Sequence, residues 1–101
     1  MHITLSPIRM GETLTGYRSG DVLTLNDDVL DFGPLPDGAT LPAEAIASEW
    51  VVGNVSRING ELHLTLRLPH GPNPSHAVAF PEPINVTRDG PIVLPIDEVL
   101  P

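Results

Sequence analysis

The chain has 101 residues, with thirteen Asp and Glu against five Arg, no Lys, no Cys and a formal net charge of −8. That length accommodates one domain, spanning 1–101; the lack of cysteine excludes a disulfide framework and a zinc-thiolate site, and so acidic a chain repels phosphate, which argues against nucleic-acid binding. Twelve prolines and nine glycines, with only Tyr17, Phe32, Trp50 and Phe80 as aromatics, describe short strands and tight turns around a core of Leu, Val and Ile.

The opening MHITLSPIRM is neither basic nor apolar enough for a signal peptide, and no run reaches the roughly 20 apolar residues of a membrane span. The segment HITLSPI is a candidate strand that Pro7 either ends or confines to a sheet edge. Next, Ser19-Gly20 is expected to reverse the chain so that Leu14 meets Leu25 and Gly16 meets Leu23. A turn at Asp27-Asp28 then sets Leu25 opposite Leu30 and Leu23 opposite Phe32, and the two hairpins make residues 14–32 a three-stranded meander with one apolar face. The following GPLPDGATLPAEAIAS holds an Asp-Gly turn and room for one or two helical turns from Pro42.

Asn59-Gly60 is the clearest turn, because this dipeptide tolerates two successive positive φ angles. It places Arg57 opposite Leu62, Val55 opposite Leu64, Gly53 opposite Leu66 and Val51 opposite Leu68, an almost wholly aliphatic face to be buried. The other face pairs Ile58 with Glu61, Ser56 with His63, Asn54 with Thr65 and Val52 with Arg67, and ends with Trp50 near Pro69. The stretch 69–83 carries too many prolines for regular structure and is expected to run extended over the surface as an arm. Finally, INVTRDGPIVLP is expected to turn at Asp89-Gly90 and pair Val86 with Val93, with Pro91 and Pro95 restricting it to an edge. The sum is an all-β domain: a small antiparallel sandwich or partly open barrel built from hairpins, with a proline-rich arm and at most one short helix.

Candidate chemistry is sparse. His2, His63, His70 and His76 match no metal-site spacing and read as surface histidines. No serine lies in a nucleophile elbow, Asp27 and Asp28 fall on a hairpin tip, and no glycine-rich phosphate loop is present, so neither an enzyme nor a cofactor is expected. The scattered acidic residues read first as a solubility feature, with a docking surface for a basic partner as the alternative. The lone Trp50 reads first as a core or rim anchor; exposed beside Val52 and Arg67 it would instead mark an interface. Long irregular segments are often functional, so the arm, with His70, Pro72, Asn73, Pro74, His76 and Phe80, is the expected interaction element together with Trp50, Val52 and Arg67.

The runs GDVLTLNDDVLDFGPLPDGATLPAEAI, SEWVVGNVSRINGELHLTLRLPHG and FPEPINVTRDGPIVLP together resemble a group of small prophage proteins from the tail region of proteobacterial phages, encoded near tail-fibre and tail-assembly genes. The resemblance implies a non-enzymatic structural or assembly protein of the tail tip or fibre, made in the host cytoplasm and carried on the virion tail. It would be present in several symmetric copies and contact other tail proteins without membrane insertion. Two further readings stand beside it: an acidic inhibitor of a basic host protein, marked by a clustered acidic patch, and a glycan-binding attachment module, marked by Trp50 or Tyr17 exposed on a concave face.

Overall fold

The leucine ladder forms the longest strand of a two-sheet β-structure, seen in a computed structural model that describes residues 1–73 and 75–95. In this strand, β7 (Glu61–His70), Leu62, Leu64, Leu66 and Leu68 are buried while His63, Thr65, Arg67 and Pro69 are half-buried on the other face. Asn59 (φ 52°) and Gly60 (φ 80°) reverse the chain into it from β6 (Val55–Ile58), with Ile58 opposite Glu61, Arg57 opposite Leu62 and Ser56 opposite His63. Upstream the expected register slips. Val51 bridges Leu66 rather than Leu68, and the Arg67 amide donates to the Trp50 carbonyl at 2.8 Å, because Gly53 (φ 73°) breaks the strand and inserts two extra residues. A two-residue slip preserves the alternation, so Val51 still points into the core.

β1 (His2–Arg9) runs parallel to β7, from His2 opposite His63 to Arg9 opposite His70. Pro7 does not end it. Only His2 and Ile3 are covered on the far side, by antiparallel β8 (Ile84–Asn85), so the proline lies where the strand is a sheet edge among the described residues and an N–H can be spared. With β5 (Thr40–Leu41) on β6, the first sheet has the order β5-β6-β7-β1-β8.

The expected meander makes most of the second sheet: β2 (Gly16–Ser19), β3 (Val22–Leu25) and β4 (Asp28–Asp31). Both of its turns differ from expectation by one position. Gly20-Asp21, not Ser19-Gly20, makes the first, pairing Gly16 with Leu25 and Arg18 with Leu23. Asn26-Asp27, not Asp27-Asp28, makes the second, pairing Leu25 with Asp28 and Leu23 with Leu30. The reason lies in the backbone: Gly20 (φ 59°) and Asn26 (φ 52°) take the left-handed conformation that aspartate reaches less readily.

The last expected hairpin does not form. β8 belongs to the first sheet, whereas β9 (Gly90–Ile92) joins the edge of the second beside β2, giving the order β4-β3-β2-β9. Residues 86–89 therefore carry the chain from one sheet to the other. Arg18 Nη1 donates to the Val86 carbonyl at 2.6 Å, and the Gly20 amide donates to Asp89 Oδ1 at 2.9 Å, so both ends of this crossing are tied to β2 or its turn. Pro91 sits at the edge, as its missing N–H requires.

The architecture is thus mostly antiparallel and two-layered, and among the described residues no barrel closes. One cluster of buried side chains fills the space between the sheets: Ile3, Leu5, Val55 and the leucine ladder from one side, Leu23, Leu25, Leu30 and Ile92 from the other. Among the described residues, helix is limited to a 3₁₀ turn at Ala43–Ala45, following Pro42, and one α turn, α1 (His76–Ala79). The latter corrects the expectation of an irregular arm over 69–83. Pro69 and His70 still belong to β7, and the proline-free SHAVA is long enough to coil once and drop Val78 into the core. No helix of the described residues is long and apolar enough to cross a membrane.

Candidate functional site

The residues expected to form an interaction surface are dispersed. Trp50, 3 % exposed, belongs to the core, so it is an anchor of the fold and not an exposed contact. Val52 is half-buried, its amide donating to the Thr65 carbonyl, and Arg67 Nε donates to the Glu49 carbonyl at 2.7 Å. His70, half-buried at the end of β7, has Nδ1 2.6 Å from the Gly71 carbonyl; Pro72 and Asn73 are exposed, and Pro74 lies outside the described residues. His76 and Phe80 stand one helical turn apart with ring centroids 5.2 Å from each other. Residues 70–73 follow the end of β7 and the His76–Phe80 pair spans α1, and buried Trp50 belongs to neither group.

The sheet registers assemble something that local spacing could not. Thr40, Ser56, His63, His2 and Asn85 stand directly opposite one another across all five strands of the first sheet, on its outward face. Thr40 Oγ1 and Ser56 Oγ are 2.9 Å apart, the rings of His63 and His2 have centroids 5.1 Å apart, and His2 Nδ1 lies 3.2 Å from Asn85 Oδ1. Glu61, two residues before His63 and on the same face, brings Oε1 to 3.7 Å from His63 Nε2. One ligand atom each from His2, Glu61 and His63 lies within 4.8 Å of the others. Two of the four histidines therefore meet with a carboxylate. The Glu61-x-His63 half was visible in the sequence as two polar residues on one strand face; the His2 half depends on parallel pairing between segments about sixty residues apart.

The Met1 ammonium stands beside this group but is engaged elsewhere, donating to the Val86 carbonyl at 2.9 Å. Burial holds its pKa below the ordinary value and Arg18 adds in the same direction, with Glu61 and Asp21 opposing.

The outward face of the second sheet has a different character. Pro91, Tyr17, Thr24 and Val29 form one cross-strand row through β9, β2, β3 and β4. Tyr17 is 50 % and Val29 67 % exposed, and exposed Val93 lies beyond Pro91.

Three aspartates cap glycine amides and two more bind side chains. Asp31, Asp37 and Asp89 accept from the amides of Gly33, Gly60 and Gly20 at 2.8 to 2.9 Å, Asp28 accepts from the Ser48 hydroxyl, and Asp21 pairs with Arg57. Part of the net charge is thus explained by turn geometry.

Comparison of the chain with protein-family models, curated proteins and solved structures finds no match.

Proposed function

We propose that this protein is a non-enzymatic component of a phage tail, acting as a structural or assembly module at the tail tip or fibre through contacts with neighbouring tail proteins. The observation that carries the reading is the cross-strand row Pro91, Tyr17, Thr24 and Val29, in which exposed Pro91, Tyr17 and Val29 stand about a half-buried Thr24 on the solvent face of a sheet whose inner face already fills the core. A strip of this kind loses little side-chain entropy when covered, because proline, a β-branched residue and an aromatic ring have few rotamers to lose. Tail parts repeat symmetrically, so each copy would present the strip to an adjacent subunit. The glycan-binding reading loses Trp50 to the core and keeps only the exposed Tyr17.

The test is mass spectrometry of purified phage particles from a lysogen carrying either the native gene or the Tyr17→Asp, Val29→Asp double variant. The native protein is expected in the particles at a few symmetric copies, and the variant, folded by circular dichroism, is expected to be depleted at least tenfold. A native protein that is abundant in the lysate, absent from particles and uncomplexed with tail proteins overturns the reading.

A further inference from the structure

We infer that His2, His63 and Glu61 form a binding site for one divalent transition-metal ion of the zinc class, pinning the N-terminal strand to the leucine ladder. The inference stands independently of the tail assignment.

The donor set is the first argument. Two imidazoles and a carboxylate suit zinc and its neighbours, and three protein ligands leave a position for water. Geometry is the second. Ligand bonds of about 2.0 to 2.1 Å in a tetrahedral shell place neighbouring donor atoms about 3.4 Å apart. His63 Nε2 and Glu61 Oε1, at 3.7 Å, are already near that spacing and too far apart for a good hydrogen bond between them. The three donor atoms fall within 4.8 Å of one another, so side-chain rotations of about an ångström close the set.

The support around the donors is the third argument. His2 Nδ1 is 3.2 Å from Asn85 Oδ1; with Nδ1 donating, the ring is held on β8 and the Nε2 lone pair is left for the ion, the arrangement by which metal-bound histidines are usually oriented. His2 and His63 stand opposite each other on adjacent parallel strands, and Glu61 shares a strand with His63. Two ligands are thus fixed by the β7 pleat and the third by the sheet ladder, so little backbone freedom is lost on binding. The His63 and Glu61 side chains are 37 % and 49 % exposed, which leaves the ion a path in and room for water. The negative charge of the chain favours a dication.

An ion here would bridge β1 and β7 beside the two-residue contact of β1 with β8, and so would stabilise the docking of the N-terminal strand.

The test is isothermal titration of the full chain with ZnSO₄, with MgCl₂ as control, at pH 7.5. It is repeated for Glu61→Gln, His63→Gln, Asn85→Ala and the remote control His76→Ala, each checked for fold by circular dichroism. One Zn²⁺ per chain is expected, with no Mg²⁺ binding. Affinity should fall at least tenfold in Glu61→Gln and His63→Gln and about tenfold in Asn85→Ala, and stay unchanged in His76→Ala. In nitrogen-15 spectra of the native chain, the imidazole signals of His2 and His63 should shift together on adding Zn²⁺ while those of His70 and His76 stay in place. Absence of saturable Zn²⁺ binding, equal loss in His76→Ala, or one ion per two chains each overturns the intrachain site. Glu61→Gln, a near-isosteric change at an exposed position, keeps the test readable should a histidine variant unfold.

Discussion

Arg57 Nη2 lies 3.3 Å from Asp21 Oδ2, an ion pair that joins β6 of one sheet to the β2–β3 turn of the other. The Arg57 side chain is 12 % exposed and that of Asp21 42 %. Arg57 also donates from Nε to the Leu35 carbonyl at 2.7 Å and from Nη2 to the Phe32 carbonyl at 2.9 Å. The arginine that alternation places among the aliphatic residues, opposite Leu62, therefore closes one end of the sandwich with its charged head.

These partners have unequal weight. Half-exposed ion pairs contribute about 0 to 1 kcal/mol, whereas carbonyls that lose a charged donor inside the fold cost about 1 to 3 kcal/mol each. Arg57→Ala is accordingly expected to lower unfolding free energy by about 3 kcal/mol and Asp21→Asn by less than about 1 kcal/mol, with Arg57→Lys between them because one ammonium cannot fork to both carbonyls. Urea denaturation orders the three; equal costs for Arg57→Ala and Asp21→Asn would mean that the ion pair carries the joint.

At the tip of the β3–β4 hairpin, Asn26 combines a positive φ with side-chain bonds. Its Oδ1 accepts from the Thr15 amide at 2.8 Å, and its Nδ2 donates to the Thr13 carbonyl at 3.1 Å. Asn26→Ala removes these bonds and strains the backbone, and should destabilise by about 2 kcal/mol. Asn26→Gly removes only the bonds and should cost about half as much, while Asp27→Ala should change stability by less than about 0.5 kcal/mol. Thermal melts of the three distinguish this turn from one centred on Asp27-Asp28, for which Asp27→Ala would be the costly change.

Gly16 is needed for close approach between strands. A Cβ there would meet Ile92 Cδ1 at 3.2 Å and Ile92 Cβ at 3.4 Å, and Ile92 is buried where β9 crosses β2. Gly16→Ala should destabilise by about 1 to 2 kcal/mol through overpacking. Ile92→Val alone should also cost about 1 kcal/mol, but it removes the nearer of those contacts, so the double variant should be more stable than additivity allows. Strict additivity in a denaturant cycle would show that the two side chains do not contend for the same space.

Side-chain alternation in the sequence by itself determined which residues face inward. Leu62 to Leu68, Leu23, Leu25 and Leu30 are buried as the pattern requires, and Asn59-Gly60 turns as its permitted φ angles demand. Alternation repeats every two residues, however, so registers that differ by two are indistinguishable to it. That degeneracy accounts for the shifted turns at Gly20 and Asn26 and for the slip at Gly53, none of which moves a leucine out of the core. Only the tertiary structure decided what depends on contacts between distant segments. It runs β1 parallel to β7, sends β8 and β9 to different sheets, and turns Arg57 toward Asp21. It also sets His2 against His63 beside Glu61, because a ladder between strands sixty residues apart is selected by the packing of both sheets at once and leaves no periodic trace in either segment.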